Sequence, residues 1–287
     1  MNILMIGAHP DDCDLRCGGL AKKYAADGHH VRFLSLTDGS AGHQTMTPAE
    51  IKARRAKEAE NAAKVLGIEY KIWDVPDGKL EATMENRERL IREIRTFLPD
   101  AVFCHRVNDY HPDHRSAGLL LRDAICMIIV PIICPDTPAP RKAPPVISYY
   151  DSFSNPDFRA DVVVDIDDVV EDKFRTLNEH VSQVYEWLPY CGCRDHEVPE
   201  DPQERYVWLH GDPVTAETSD DTVLGNSLQG YSRRFALSAA LYRKQLIDRY
   251  GEKGKHVRFA EAYEFSEYGA SPSAEELQKL CGKLFPY

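Results

Sequence analysis

Residues 2–39, NILMIGAHPDDCDLRCGGLAKKYAADGHHVRFLSLTDG, decide how the chain folds. Asn2 to Ala8 is an apolar run suited to a strand buried on both faces, and Gly18 to Asp27 has helical spacing closed by Gly28. His30 to Leu36 is a second apolar run, stopped by Thr37-Asp38-Gly39. Strand, helix and strand in such close succession make a βαβ unit, whose two strands lie parallel.

The same alternation continues outward. Thr47-Pro48-Ala49-Glu50 has the form of a helix start, with Thr47 as N-cap, Pro48 in the first turn and Glu50 three residues after the cap. That helix runs to Leu66 and closes on Gly67. Ile68 to Val75 reads as a third strand before the turn Pro76-Asp77-Gly78, Glu85 to Phe97 as the next helix, and Asp100 to Val107 as a fourth strand. The fold class is therefore α/β, a Rossmann-like, mostly parallel sheet with helices on both faces. Beyond Pro131 a cluster of prolines ending at Pro144 and Pro145 forbids a long regular element and predicts a rim loop. Further on, Val146 to Asp151 and Ala160 to Asp165 read as strands, Asp167 to Trp187 as one long helix, and 188–225 as turn-rich. Leu228 to Tyr250 reads as a helix and Val257 to Phe265 as a last strand. We expect a single domain, with the site in a core of residues 1–130 and an elaborated C-terminal part, 131–287, of rim loops, helices and closing strands.

Charge and composition restrict the partners. With 43% hydrophobic and 28% charged residues the chain is an ordinary globular protein, and its net charge of −11 repels phosphate backbones and anionic lipid. Nucleic acid and membrane are not expected partners. The N-terminus lacks the basic flank of a signal peptide, and the apolar stretch Ala124 to Cys134 is short and interrupted by Pro131, so a cytoplasmic location is expected. Eight scattered cysteines fit reduced thiols. Cys191-Gly192-Cys193 lacks a second Cys/His pair at zinc-finger spacing, and Cys13 and Cys17 read as small buried packers.

The chemistry is concentrated in two segments. His9-Pro10-Asp11-Asp12 offers an imidazole and two carboxylates, and His111-Pro112-Asp113-His114 adds two imidazoles and another carboxylate. Both follow the carboxyl ends of predicted strands, where open α/β sheets collect their ligand sites. One His, one Asp and one distant His suffice for a catalytic zinc site with an open position, whereas an all-oxygen magnesium site does not need so many imidazoles. Singly, each segment also reads as a helix cap or surface histidine; together they do not. A nucleotide-binding reading fails because Cys13 to Gly19 lacks the GxGxxG spacing.

These residues resemble an LmbE-like (PIG-L) zinc deacetylase. The resemblance rests on Gly7-Ala8-His9-Pro10-Asp11-Asp12 with Gly18-Gly19, on Thr37-Asp38-Gly39, on Arg55 to Glu58 before Leu66-Gly67, and on His111-Pro112-Asp113-His114, and covers residues 2 to about 120. It implies that His9, Asp12 and His114 bind Zn2+, that Asp11 is the general base, and that His111 faces the oxyanion in protonated form with Asp113 keeping it charged and aimed. Arg55 matches a substrate-contacting arginine, although it can also pair with Glu58 or Glu60 on its own helix. Many relatives have Glu where this chain has Asp14, whose role stays open, and Asp38 is a turn residue that can also support the site. Gly18 and Gly19 either let backbone approach the metal loop or form a tight turn. The activity implied is hydrolysis of an acyl amide, N-deacetylation of an N-acetylglucosamine-type sugar, by a homo-oligomer. The alternatives are an amidase acting on a larger acyl-amino sugar (thiol) conjugate, another ion such as Fe2+ in the site, and a metal-binding module without activity.

Overall fold

The computed structural model describes residues 1–153 and 156–271, together with Glu275 and Leu280. Five strands run parallel: β1 (Asn2–Gly7), β2 (His30–Ser35), β3 (Glu69–Ile72), β4 (Ala101–Cys104) and β5 (Pro145–Tyr149). β7 (Ala260–Gly269) is antiparallel to β5 and to β6 (Val162–Asp165), giving a seven-stranded sheet of order β3-β2-β1-β4-β5-β7-β6. Parallel strands require crossovers, and α1 (Asp12–Ala26), α2 (Pro48–Leu66), α3 (Met84–Phe97) and α4 (Pro112–Ile125) supply them in turn. The fold is the Rossmann-like α/β architecture that the alternation of the sequence predicts.

Strand residues alternate between two cores. Ile3, Met5 and Phe33 pack with Leu20 and Tyr24 of α1, while Leu4, Ile6 and Leu34 pack on the opposite face with Leu90 and Ile94 of α3 and Leu120 of α4. Each such side chain contributes on the order of 1.5–3 kcal/mol by leaving water, so the strand interiors are committed to packing. Polar chemistry is left to the strand ends. Strand order reverses between β1 and β4, and their carboxyl ends deliver His9 and His105 to one crevice.

Several elements differ from the sequence reading. α1 begins at Asp12 rather than Gly18 and bends at Cys17, which has φ −143. Backbone N–H groups near the bend find a different acceptor: Gly19 and Leu20 donate to the Glu261 carboxylate at 2.9 and 2.8 Å, and Lys173 supplies its counter-charge at 2.5 Å. A Cβ on Gly19 would lie 2.8 Å from Ile166, and one on Gly18 would face Lys173. The glycine pair thus serves packing of α1, and it does not approach the metal loop.

The helix expected over Asp167 to Trp187 breaks at His180 into α5 (Val170–Glu179) and a π-helical turn (Ser182–Trp187). Polar pairing outweighs helical periodicity here: Ser182 donates its N–H and hydroxyl to Glu58 at 2.9 and 2.6 Å, and His180 turns toward Asp14. Residues 188–225 are more regular than expected, with α6 (Leu188–Cys191), α7 (Pro202–His210) and α8 (Asp220–Leu224). The last predicted helix divides at Tyr242 into α9 (Gly230–Leu241) and α10 (Arg243–Tyr250). Among the described residues no helix is long and apolar enough to cross a membrane, and the cysteines are free, with Cys191 and Cys193 exposed and outside every His/Cys/Asp/Glu group that could hold a metal ion.

Candidate metal centre and active site

Asp12 organises the crevice. Its Oδ2 accepts the backbone N–H groups of Ala8 and His9 at 2.9 and 2.7 Å and lies 3.3 Å from His9 Nδ1, while Oδ1 lies 3.3 Å from His114 Nε2. His9 and His114 also offer ring nitrogens within 4.8 Å of each other and of His111. The loop after β1 and the first turn of α4, about a hundred residues apart in sequence, therefore converge on one small volume.

Carboxylates hold these imidazoles in place. Asp109 Oδ1 sits 2.9 Å from His114 Nδ1, leaving Nε2 for the crevice, and His9 Nε2 lies 3.2 Å from Asp77 and 3.3 Å from Asp113. His105 stacks on His114 with ring centres 4.0 Å apart and reaches Asp12 Oδ2 at 3.2 Å. Burial opposes charge on His9, but Asp113, Asp12 and Asp77 outweigh it and hold its pKa well above the ordinary value. The same contest, won by Asp12 and Asp109, raises His114. Burial pushes the Asp12 carboxyl up, yet His114 and His105 bring it well below the usual range. A field that draws protons onto neutral imidazoles also draws a divalent cation, and the His/Asp donor set suits zinc or a neighbouring transition ion.

Asp11 and Arg55 form the second part of the crevice. Arg55, on α2, is buried; its Nη2 donates to Asp11 Oδ1 at 2.8 Å, and Nη1 reaches Gly39 O at 3.3 Å and Asp77 at 3.6 Å. Gly39, at φ +68, is needed because a Cβ there would lie 2.7 Å from the Arg55 side chain. Arg54, not Arg55, pairs with Glu58 and Glu186. Asp38 supports the arrangement by accepting the Asp77 N–H at 3.2 Å.

His111 and Asp113 adopt a geometry different from the expected one. The Asp113 carboxylate is occupied by Gly78 N, Leu80 N and His9, and only its backbone N–H touches His111, donating to Nδ1 at 3.2 Å. Burial, then His9 and His114, lower the His111 pKa, and the Asp113 carboxylate does not itself aim the ring. Asp14 lies behind the crevice, fully buried between the Tyr70 hydroxyl at 3.1 Å and His180 at 3.2 Å.

Three polar residues of the crevice escaped the sequence reading: His105, Asp109 and Asp77. Asp77 and Asp109 follow the carboxyl ends of predicted strands, the positional rule that singles out His9, whereas His105 falls inside the predicted fourth strand, which the structure ends at Cys104. Arg16, ion-paired with Asp151 along the crevice wall, carried no sequence signal.

Known proteins resemble this chain in sequence and in fold. The family model for PIG-L, GlcNAc-PI de-N-acetylase, matches residues 4–125. The diacetylchitobiose deacetylase of Thermococcus kodakarensis is 34% identical over 205 residues, 66% of this chain and 74% of that protein. The 4-oxalmesaconate hydratase of Pseudomonas putida is 27% identical over 196 residues, covering 65% of this chain and 76% of that protein. Two solved structures share the fold. The N,N'-diacetylchitobiose deacetylase of Pyrococcus horikoshii superposes with a TM-score of 0.62 at 24% identity over 96% of this chain and 88% of that one. The 4-carboxy-2-hydroxymuconate hydratase of Pseudomonas putida gives 0.69 at 20% identity over 95% and 98%. The match to the deacetylase extends over most of both chains, and the family model spans both histidine segments: the chain belongs to the PIG-L/LmbE-like deacetylase family.

Proposed function

We propose that this protein hydrolyses an acyl amide, releasing acetate from an N-acetylglucosamine-type sugar or conjugate, with Zn2+ held by His9, Asp12 and His114. The observation that carries the reading is the adjacency of two unlike carboxylates: Asp12 faces the imidazoles, and Asp11 faces Arg55. A divalent ion bound there supplies Lewis acidity toward the acyl oxygen and lowers the pKa of water. Arg55 fixes Asp11 through Oδ1, which leaves Oδ2 as the oxygen to take the proton of attacking water and hand it to the departing nitrogen. His111 accepts the Asp113 backbone N–H at Nδ1, so a neutral ring carries its own proton on Nε2 and can donate it to the oxyanion. Asp113 acts by anchoring His9 and the loop at Gly78 and Leu80.

The test is metal analysis of the purified protein with acetate-release assays across N-acetyl sugars, repeated for Asp11→Asn. We expect one divalent ion per chain and a fall in kcat/KM of about 10²–10⁴ in the variant; turnover retained in Asp11→Asn removes it from the base role. The hydratase relative favours a second reading, addition of water to a conjugated carbon–carbon double bond at the same centre. Loss of ultraviolet absorbance from an unsaturated carboxylate, with no acetate from any amide, selects that reading.

A further inference from the structure

A second recess opens beside the crevice. A cavity of about 360 Å³ lies between the end of α7 and the start of α9, walled by Trp208, Tyr231, Arg194 and Arg234. Its floor is a backbone crossing that only glycine permits: a Cβ on Gly211, at φ +71, would lie 2.3 Å from Gln229 O, and one on Gly230, at φ +80, would lie 2.5 Å from Gly211 Cα. The shape of the recess is fixed by this contact.

The polar groups of the recess are not equivalent. Asp212 spends Oδ2 on Gln229 N at 2.8 Å, and Arg194 is ion-paired with Glu197 at 2.7 Å. Arg234 differs. Its guanidinium lies 5.3 Å from the Phe153 ring centre and 5.5 Å from that of Tyr231, and it makes no ion pair among the described residues. In a chain with 46 acidic and 35 basic residues, a partly buried cation set beside two aromatic rings and the Tyr231 hydroxyl, with no carboxylate partner among the described residues, is out of pattern.

Arg234 also looks toward the metal centre. Phe153 stands 5.0 Å from Tyr110, whose ring is 5.3 Å from His114 and 5.9 Å from His111. Tyr110 and Phe153 are 47% and 67% exposed, large enough fractions to serve as a platform under a bound molecule. A planar guanidinium held between aromatic faces, with its donors free of carboxylate, suits a pair of anionic oxygens.

We propose that Arg234 receives an anionic group, a carboxylate or a phosphate, on the amine portion of the substrate, so that acidic N-acyl sugars are selected over neutral ones. This rests on the amide-hydrolase reading. The test measures binding by calorimetry to full-length, metal-loaded Asp11→Asn protein, using N-acetylglucosamine, its 6-phosphate and N-acetylmuramic acid as probes. Acetate release from the same sugars is followed with unmodified protein. At least one acidic sugar should bind tenfold or more tightly than the neutral one at low salt, with the ratio falling toward one when Arg234→Gln is added and partly kept in Arg234→Lys. Phosphate and carboxylate sources are told apart by which probe carries the preference. A ratio near one with Arg234 in place, failure of every acidic sugar to bind, or a preference that survives Arg234→Gln overturns the proposal. An Arg234-dependent preference without acetate release from any sugar keeps the subsite and removes the hydrolase reading. Acetate released equally from neutral and acidic sugars does the reverse.

Discussion

Asp12 shows how one residue ties fold to chemistry, because its two oxygens meet the strand-end backbone on one side and His114 on the other. His105 completes this geometry from β4, touching the same Oδ2 and lying flat against His114. We expect His105→Gln to weaken metal affinity about 10–100-fold by loosening the proposed ligands Asp12 and His114, the usual cost of losing a partner behind a ligand. A competition titration with a chromophoric chelator reads this directly; unchanged affinity would reduce His105 to packing, and abolished binding would make it a ligand. The proposed ligands His9, Asp12 and His114 stand out in the sequence because they sit in dense motifs, while His105 stands isolated between Cys104 and Arg106. Which carboxylate serves which imidazole was not legible, since Asp109, Asp113 and Asp77 divide those tasks through contacts that no local spacing encodes.

At the scale of elements, the site depends on how closely α4 lies against the end of β4. Gly118 sets that distance: a Cβ there would stand 2.8 Å from His105 O and from the carbonyl carbon of Arg106, both backbone atoms that cannot swing aside. Gly118→Ala should therefore push α4 away and carry His114, one turn earlier on the same helix, out of register with Asp12. Overpacking of this kind typically costs about 1–3 kcal/mol. We expect a lower melting temperature together with weakened metal binding, measured by calorimetry and chelator titration; destabilisation with normal metal affinity would show that α4 tilts without moving His114. The alternating elements of the first half were legible because buried parallel strands and capped helices leave strong local patterns, the Thr47–Glu50 capping box among them. The break at His180 was not, because its cause is tertiary. Glu58 on α2 and Asp14 on α1 draw Ser182 and His180 out of helical register from a distance that sequence periodicity does not see.

Over the whole molecule, the crevice is a set of mutually dependent charges, and its occupation should register as stability. An ion present at a hundred times its Kd adds about 2.7 kcal/mol, which at about 2–4 °C per kcal/mol for a large chain is a rise of roughly 5–10 °C over chelator-treated protein. A thermal scan with and without chelator checks it, and coincident transitions would mean that the folded protein has no specific ion. His180 adds a separate dependence on pH. Burial opposes its charge, but Asp14, and after it Asp11 and Glu58, raise its pKa above the ordinary 6.5. A histidine whose pKa is higher folded than unfolded binds its proton more tightly in the folded state. Its stabilising contribution is full below the ordinary value and is lost as pH climbs through the raised one. In metal-loaded protein, where the proposed ligands His9 and His114 would be occupied, the melting temperature should fall as pH rises above about 6.5, and His180→Gln should flatten that slope while lowering stability in mild acid. Parallel curves for the two proteins would show that Asp14 and His180 meet without exchanging charge.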